Sequence, residues 1–121
     1  MRRFYLQLFG REPIDVTGMG TFVIGREGDL LVHGHGVSRK HCMLALPKKP
    51  EESTYLCDGN GTKASSNGTF VNKKLYTRDA LEEDDRGTYL QSNDLITIGT
   101  IAIRYLEFEE NLQSDDVNTT L

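Results

Sequence analysis

Ile101-Ala102-Ile103-Arg104-Tyr105-Leu106-Glu107-Phe108 places Ile101, Ile103 and Tyr105 at alternate positions. A period of two sends successive side chains to opposite faces, so the stretch predicts a strand with one apolar face. Cys42, Leu44 and Leu46 repeat the pattern. Outward from these, the remaining apolar residues come in short bursts: Phe4 to Phe9, Phe22 to Ile24, Tyr55 to Cys57, Phe70-Val71 and Leu95 to Ile98. Gly, Asn, Asp and Pro fill the breaks, and no helical period is sustained. The expectation is an all-β chain, an antiparallel sandwich or barrel. The one helix-like stretch, Thr77 to Arg86, offers only Ala80 and Leu81 for a helix to bury. It predicts an acidic surface loop with at most one helical turn.

A chain of 121 residues fits one domain with its own core, and its apolar bursts fall far short of the ~20 residues that a membrane-spanning helix needs. The formal charge of −4 argues against a nucleic-acid binder relying on bulk positive charge. Any anion site must therefore be local. The amino terminus, Met1-Arg2-Arg3-Phe4-Tyr5-Leu6, is soon broken by Gln7, Gly10, Arg11 and Glu12 and lacks the apolar stretch of a signal peptide, which makes the cytoplasm the expected location. Cys42 and Cys57 make no disulfide framework and show no zinc-type spacing. Free thiols are expected, with a cross-strand pair as the alternative if Pro47 to Pro50 lies near a hairpin turn. Residues 110–121 are polar and acidic, and read as a flexible tail or the start of a linker.

Three clusters set small, polar or basic residues against the end of an apolar run: Ile24-Gly25-Arg26-Glu27, Val37-Ser38-Arg39-Lys40-His41-Cys42, and Ser65-Ser66-Asn67-Gly68-Thr69-Phe70-Val71-Asn72. Together they supply what a phosphate needs: a guanidinium, hydroxyl donors and backbone N–H groups in tight turns. A phosphoryl group near pH 7 carries between one and two negative charges and three acceptor oxygens.

With Gly25-Arg26, Ser38-Arg39-Lys40-His41, Asn67-Gly68-Thr69-Phe70-Val71-Asn72 and Leu90-Gln91-Ser92-Asn93-Asp94-Leu95-Ile96-Thr97-Ile98-Gly99 in this order, the chain resembles the forkhead-associated (FHA) domain. That family consists of phosphothreonine-binding modules. The resemblance covers most of residues 4–108 and implies a twisted antiparallel β-sandwich of about eleven strands, FHA/SMAD-like, over residues 1–109. Short loops at one end would form the site. It further implies that Arg26 and Ser38 contact the phosphate with Arg39 beside them, that Ser66 approaches the phosphothreonine, and that Asn67 holds the peptide backbone. His41 would brace the Ser38 loop. Gly25, Gly68, Thr69 and Asn72 would support the site, and Gly99 would permit a further turn.

The sequence departs from the family pattern at Lys73 and Asn93, both at positions where glycine is usual; asparagine tolerates φ > 0 better than most residues. Extra residues between Asp58 and Asn67, and the long stretch from Lys74 to Leu90, also depart from it. The first insertion lies beside the binding loops and could reshape or shade the site. Other readings of single features are weaker. Ser38, His41 and Asp58 could pass for a nucleophile with its base and orienting acid, but no Gly-x-Ser-x-Gly elbow is present. His33 and His35 lack a third ligand for a metal. Asn60-Gly61-Thr62 and Asn67-Gly68-Thr69 match a glycosylation acceptor by chance in a chain without a secretory leader. Lys73-Lys74 could sit near enough to draw in acidic peptides.

The function these features predict is recognition of a phosphothreonine-containing partner, such as the substrate of a Ser/Thr kinase, without catalysis, cofactor, metal, nucleic acid or membrane. Two alternatives stand beside it: a phosphate-independent scaffold or dimerisation domain, and the regulatory domain of a longer signalling enzyme. Thr119 or Thr120 could serve as an internal phosphosite that folds back into the same pocket.

Overall fold

The computed structural model describes residues 1–109; the tail expected at 110–121 lies outside the described residues. Eleven strands form two sheets. In chain order they are β1 (Arg2–Leu8), β2 (Ile14–Asp15), β3 (Thr21–Gly25), β4 (Leu30–Leu31), β5 (Cys42–Ala45), β6 (Tyr55–Asp58), β7 (Thr69–Val71), β8 (Lys74–Tyr76), β9 (Gly87–Tyr89), β10 (Leu95–Ile98) and β11 (Ile101–Glu109). One sheet has the order β2-β1-β11-β10-β7-β8 and the other β4-β3-β5-β6-β9. The expected sandwich is therefore observed. Every pairing is antiparallel except β3 with β4, which is parallel.

The alternating stretches bury the faces their period predicts. Ile103 and Tyr105 on β11 are fully buried, as are Cys42 and Leu44 on β5. They meet Leu6, Ile96 and Ile98 from the first sheet and Ile24 and Leu56 from the second. Each such side chain contributes roughly 1.5–3 kcal/mol on leaving water. Tyr105 keeps its hydroxyl satisfied inside the core through a 2.6 Å hydrogen bond shared with Thr54 Oγ1. Burial nonetheless pushes its pKa up to about 12.

Four strands of two or three residues, β2, β4, β8 and β9, stand outside the apolar bursts and lie at sheet edges. Edge strands are commonly short, which limits unwanted pairing with other chains. Two of them fall in the long departure from Lys74 to Leu90, which thus adds β8 and β9 around a single 3-10 turn at Glu83–Asp85. The acidic stretch behaves as expected. At the β7–β8 turn Asn72 and Lys73 both have positive φ, 49° and 74°, the two-residue geometry of a type I′ hairpin. Asn93 (φ 79°) occupies a left-handed position as well.

The register rules out the cross-strand disulfide. Cys42 pairs with Asp58 and Met43 pairs with Cys57, so the two cysteines differ by one position and face opposite sides of the sheet. Both are free: Cys42 in the core, where burial pushes its thiol pKa up, and Cys57 half-buried outside. No helix among the described residues is long and apolar enough to cross a membrane.

Candidate phosphopeptide site

The carboxyl ends of β3, β6 and β10 and the amino ends of β5, β7 and β11 meet at one end of the sandwich. The loops joining them are held by hydrogen bonds that begin in the core. Arg26 N–H donates to Ser38 O at 3.0 Å and Glu27 N–H to Arg39 O at 2.8 Å. These bonds draw the β3 loop against the Ser38 loop so closely that a Cβ on Gly25 would run into the Arg39 carbonyl. Only glycine fits there.

His41 is fully buried beneath the Ser38 loop. Its Nδ1 accepts from Ser38 N–H at 3.0 Å. Nε2 must then carry the ring proton, and it donates to Gly68 O at 2.7 Å. One neutral imidazole thus joins two loops, and its pKa is lowered because burial penalises the charged ring. Both ring nitrogens are used by backbone groups, leaving none to activate the Ser38 hydroxyl. Ser38 Oγ instead accepts from Ser66 N–H at 2.9 Å, with its own hydroxyl proton still to donate.

The third loop hangs on Asp58. This buried carboxylate accepts from Ser65 Oγ (2.6 Å) and Thr69 Oγ1 (2.7 Å) on Oδ1, and from Ser65 N (3.2 Å) and Arg78 N (3.1 Å) on Oδ2. Ser65 Oγ in turn accepts from Gly68 N–H at 2.8 Å. A buried carboxylate with four donors is well satisfied, and among the described residues every buried side-chain N or O has a partner. Asp58 and Ser65 were not among the predicted supports. An aspartate ending an apolar strand is an ordinary turn signal, and its role becomes visible only when the end of β6 in one sheet meets the start of β7 in the other.

Above this network lies a groove of about 330 Å³ lined by Arg26, Glu27, Ser38, Arg39, Lys40, Asn60, Lys63, Ala64 and Ser66. Four of the predicted contact residues, Arg26, Ser38, Arg39 and Ser66, therefore meet on one surface. Arg26 is held by its Nε, which donates to Val37 O at 2.8 Å and leaves the two terminal nitrogens uncommitted. Asn67 sits next to Ser66, exposed, and one of its amide hydrogens goes to Gly36 O at 3.2 Å. Gly25, His41, Gly68 and Thr69 lie beneath. Asn72 does not join them. It stands at the other end of β7, where its Nδ2 donates to Asp94 Oδ1 (2.8 Å) and its Oδ1 accepts from Leu95 N–H (2.9 Å), pinning a different turn.

The insertion between Asp58 and Asn67 forms a wall of the groove through Asn60, Lys63 and Ala64 and leaves the groove open. Asn60 Oδ1 accepts from Thr62 N–H, Thr62 Oγ1 and Lys63 N–H, so the apparent glycosylation motif is a side-chain-capped turn. Lys73 and Lys74 belong to the far end of β7, and Lys74 pairs with Asp85 at 3.6 Å. Among the described residues no group of three or more His, Cys, Asp or Glu side chains is placed to hold a metal.

Comparison with known proteins agrees with this fold. The FHA domain model matches residues 22–99. The chain belongs to the FHA family. Solved structures with the same fold include an FHA domain studied for phosphothreonine-dependent interactions (23% identity over 90% of this chain and 99% of that one, TM-score 0.68). An FHA domain from Chlamydia trachomatis matches at 18% identity over 88% of this chain and 99% of that one, with TM-score 0.71. EmbR of Mycobacterium tuberculosis, in complex with a low-affinity phosphopeptide, matches at 19% identity over 86% of this chain and 24% of that one, with TM-score 0.66. At these identities the likeness is one of fold. A search among curated proteins finds no match by sequence. The FHA domain here thus carries its polar residues on the loops at one end of the sandwich.

Proposed function

We propose that residues 1–109 form a non-catalytic recognition domain that binds a phosphothreonine in a partner protein, with the phosphate between Arg26, Ser38 and Ser66 and the extended chain against Asn67. The observation that carries this reading is Arg26: its Nε is anchored on Val37 O, while its terminal nitrogens are free beside two serines in an open groove. A guanidinium so held presents a fixed fork of donors to three phosphate oxygens. Arg39, beside it, adds charge without being anchored itself.

The phosphothreonine would come from a Ser/Thr kinase, and the two unpaired cysteines suit a reducing compartment such as the cytoplasm. Absence of chemistry is supported by His41, whose two nitrogens are consumed by Ser38 N–H and Gly68 O. A phosphosite at Thr119 or Thr120 of the same molecule, folding back into the groove, lies outside the described residues.

Titration of the domain with a degenerate phosphothreonine library, beside phosphoserine and unphosphorylated versions, tests the reading. Binding should require the phosphate and fall at least tenfold in Arg26→Ala. Binding indifferent to phosphorylation would overturn it.

A further inference from the structure

The groove holds more positive charge than one phosphothreonine uses. Arg26, Arg39, Lys40 and Lys63 line it against a single carboxylate, Glu27. The ion pairs of the described residues all lie elsewhere, at Glu109, Glu107, Asp15 and Asp85, so none of these four cations has an acidic partner. A phosphoryl monoester brings about 1.5 to 2 negative charges at pH 7. After it binds, at least one cation of the lining still lacks a counter-charge, in a chain whose formal net charge is −4.

Lys63 is the cation that the insertion contributes, and its backbone is fixed. Its N–H donates to Asn60 Oδ1 at 2.8 Å and its carbonyl accepts from Asn60 N–H at 3.1 Å. Gly59, at φ +77°, packs so tightly under the Lys63 carbonyl that a Cβ there would collide with it. Gly59 N–H in turn donates to His41 O at 2.8 Å, tying the turn to the residue that braces Ser38. A lysine on a loose loop would forfeit much of its attraction to the entropy of ordering that loop. Lys63 has only its side chain left to order.

We infer that Lys63 builds a second anion subsite beside the phosphothreonine position. The ligand class favoured is then a phosphothreonine peptide carrying a second anionic group close in sequence, either an acidic side chain or another phosphate. This inference rests on the phosphopeptide reading above. Both anions would be met by N–H donors, with three from the ammonium.

Three sets of degenerate peptides test it by fluorescence anisotropy: one phosphothreonine with neutral flanks, the same with Asp fixed at each flanking position in turn, and the same with a second phosphothreonine there. The native domain should bind at least one position of the second or third set about tenfold more tightly than the neutral set. The set that gains tells carboxylate from phosphate. Lys63→Gln should shrink that ratio towards one while lowering neutral-set affinity much less, and a melting temperature equal to the native one shows that the turn survives. A ratio of one in the native domain, or a ratio unchanged in Lys63→Gln, overturns the subsite while phosphopeptide binding stands. Loss of all phosphopeptide binding in the native domain overturns both.

Discussion

Arg2 and Arg26 stand at opposite ends of the sandwich and use the same functional group differently. Arg2 is committed at both terminal nitrogens: one donates to Glu107 Oε1 at 3.1 Å and the other reaches the carbonyls of Lys49, Pro50 and Glu52. Its guanidinium also lies 5.3 Å from the centre of the Phe4 ring. It closes the loop from Leu46 to Thr54 onto β1, with both terminal nitrogens engaged. The Arg26 side chain makes one hydrogen bond, through Nε, and no ion pair. At the end opposite the groove, charges are spent on each other; in the groove Arg26 is held from below by a neutral backbone carbonyl and left open above. Buried partners for the scaffold and unpaired cations for the surface together make a preorganised anion site.

The largest effect expected from breaking this contrast is at Asp58. Asp58→Ala leaves two hydroxyls and two N–H groups without their acceptor, which should cost about 3 kcal/mol or more. Thermal unfolding should shift down by on the order of 10 °C, and a variant that melts with the native protein would show that the network is dispensable. Next comes the arginine pair. Arg26→Ala should weaken phosphopeptide binding by about ten- to a hundredfold and change stability by under about 1 kcal/mol. Arg2→Ala should lower stability by about 1–2 kcal/mol and leave affinity alone. Equal effects of both substitutions on either measurement would dissolve the distinction between the two ends.

Acidification probes the same scaffold more gently. His41 has a folded pKa below its ordinary 6.5, so the unfolded chain takes up its proton first as pH falls. Its contribution is complete above pH 6.5 and is lost as pH drops from there towards the folded value. The denaturant midpoint should therefore fall between pH 7 and pH 5.5, and His41→Gln should flatten that part of the curve. A protonated ring could no longer accept from Ser38 N–H, so affinity should fall in parallel. The smallest effect lies away from both ends' functional contacts, at the β7–β8 turn. Lys73→Gly relieves a left-handed lysine (φ 74°) and should raise stability by about 0.5–1 kcal/mol with no change in binding.

Seven of the eleven strands were legible from apolar bursts, because strands that cross the core need several buried residues in a row or in alternation. β2, β4, β8 and β9 were not, since two or three edge residues carry no period. The groove was legible in part. Arg26, Ser38, Arg39 and Ser66 stand beside recognisable turns, whereas Asn60 and Lys63 lie in an insertion whose sequence looks like any polar loop. Asn72 sits in the same short motif as Asn67 but, three residues along a strand from Thr69, has left the site.

The sequence by itself determined an all-β antiparallel chain and the kinds of group in its turns, because alternation and turn residues act over a few neighbours; the choice of sandwich over barrel came from the resemblance to the FHA domain. Tertiary structure alone decided which cations are free. Arg2 and Arg26, both arginines close to apolar runs, differ in what comes near them from 47 to 105 residues away for the first, and 11 residues away for the second. Hydrogen-bond saturation is a property of packed neighbours, and no local pattern records it.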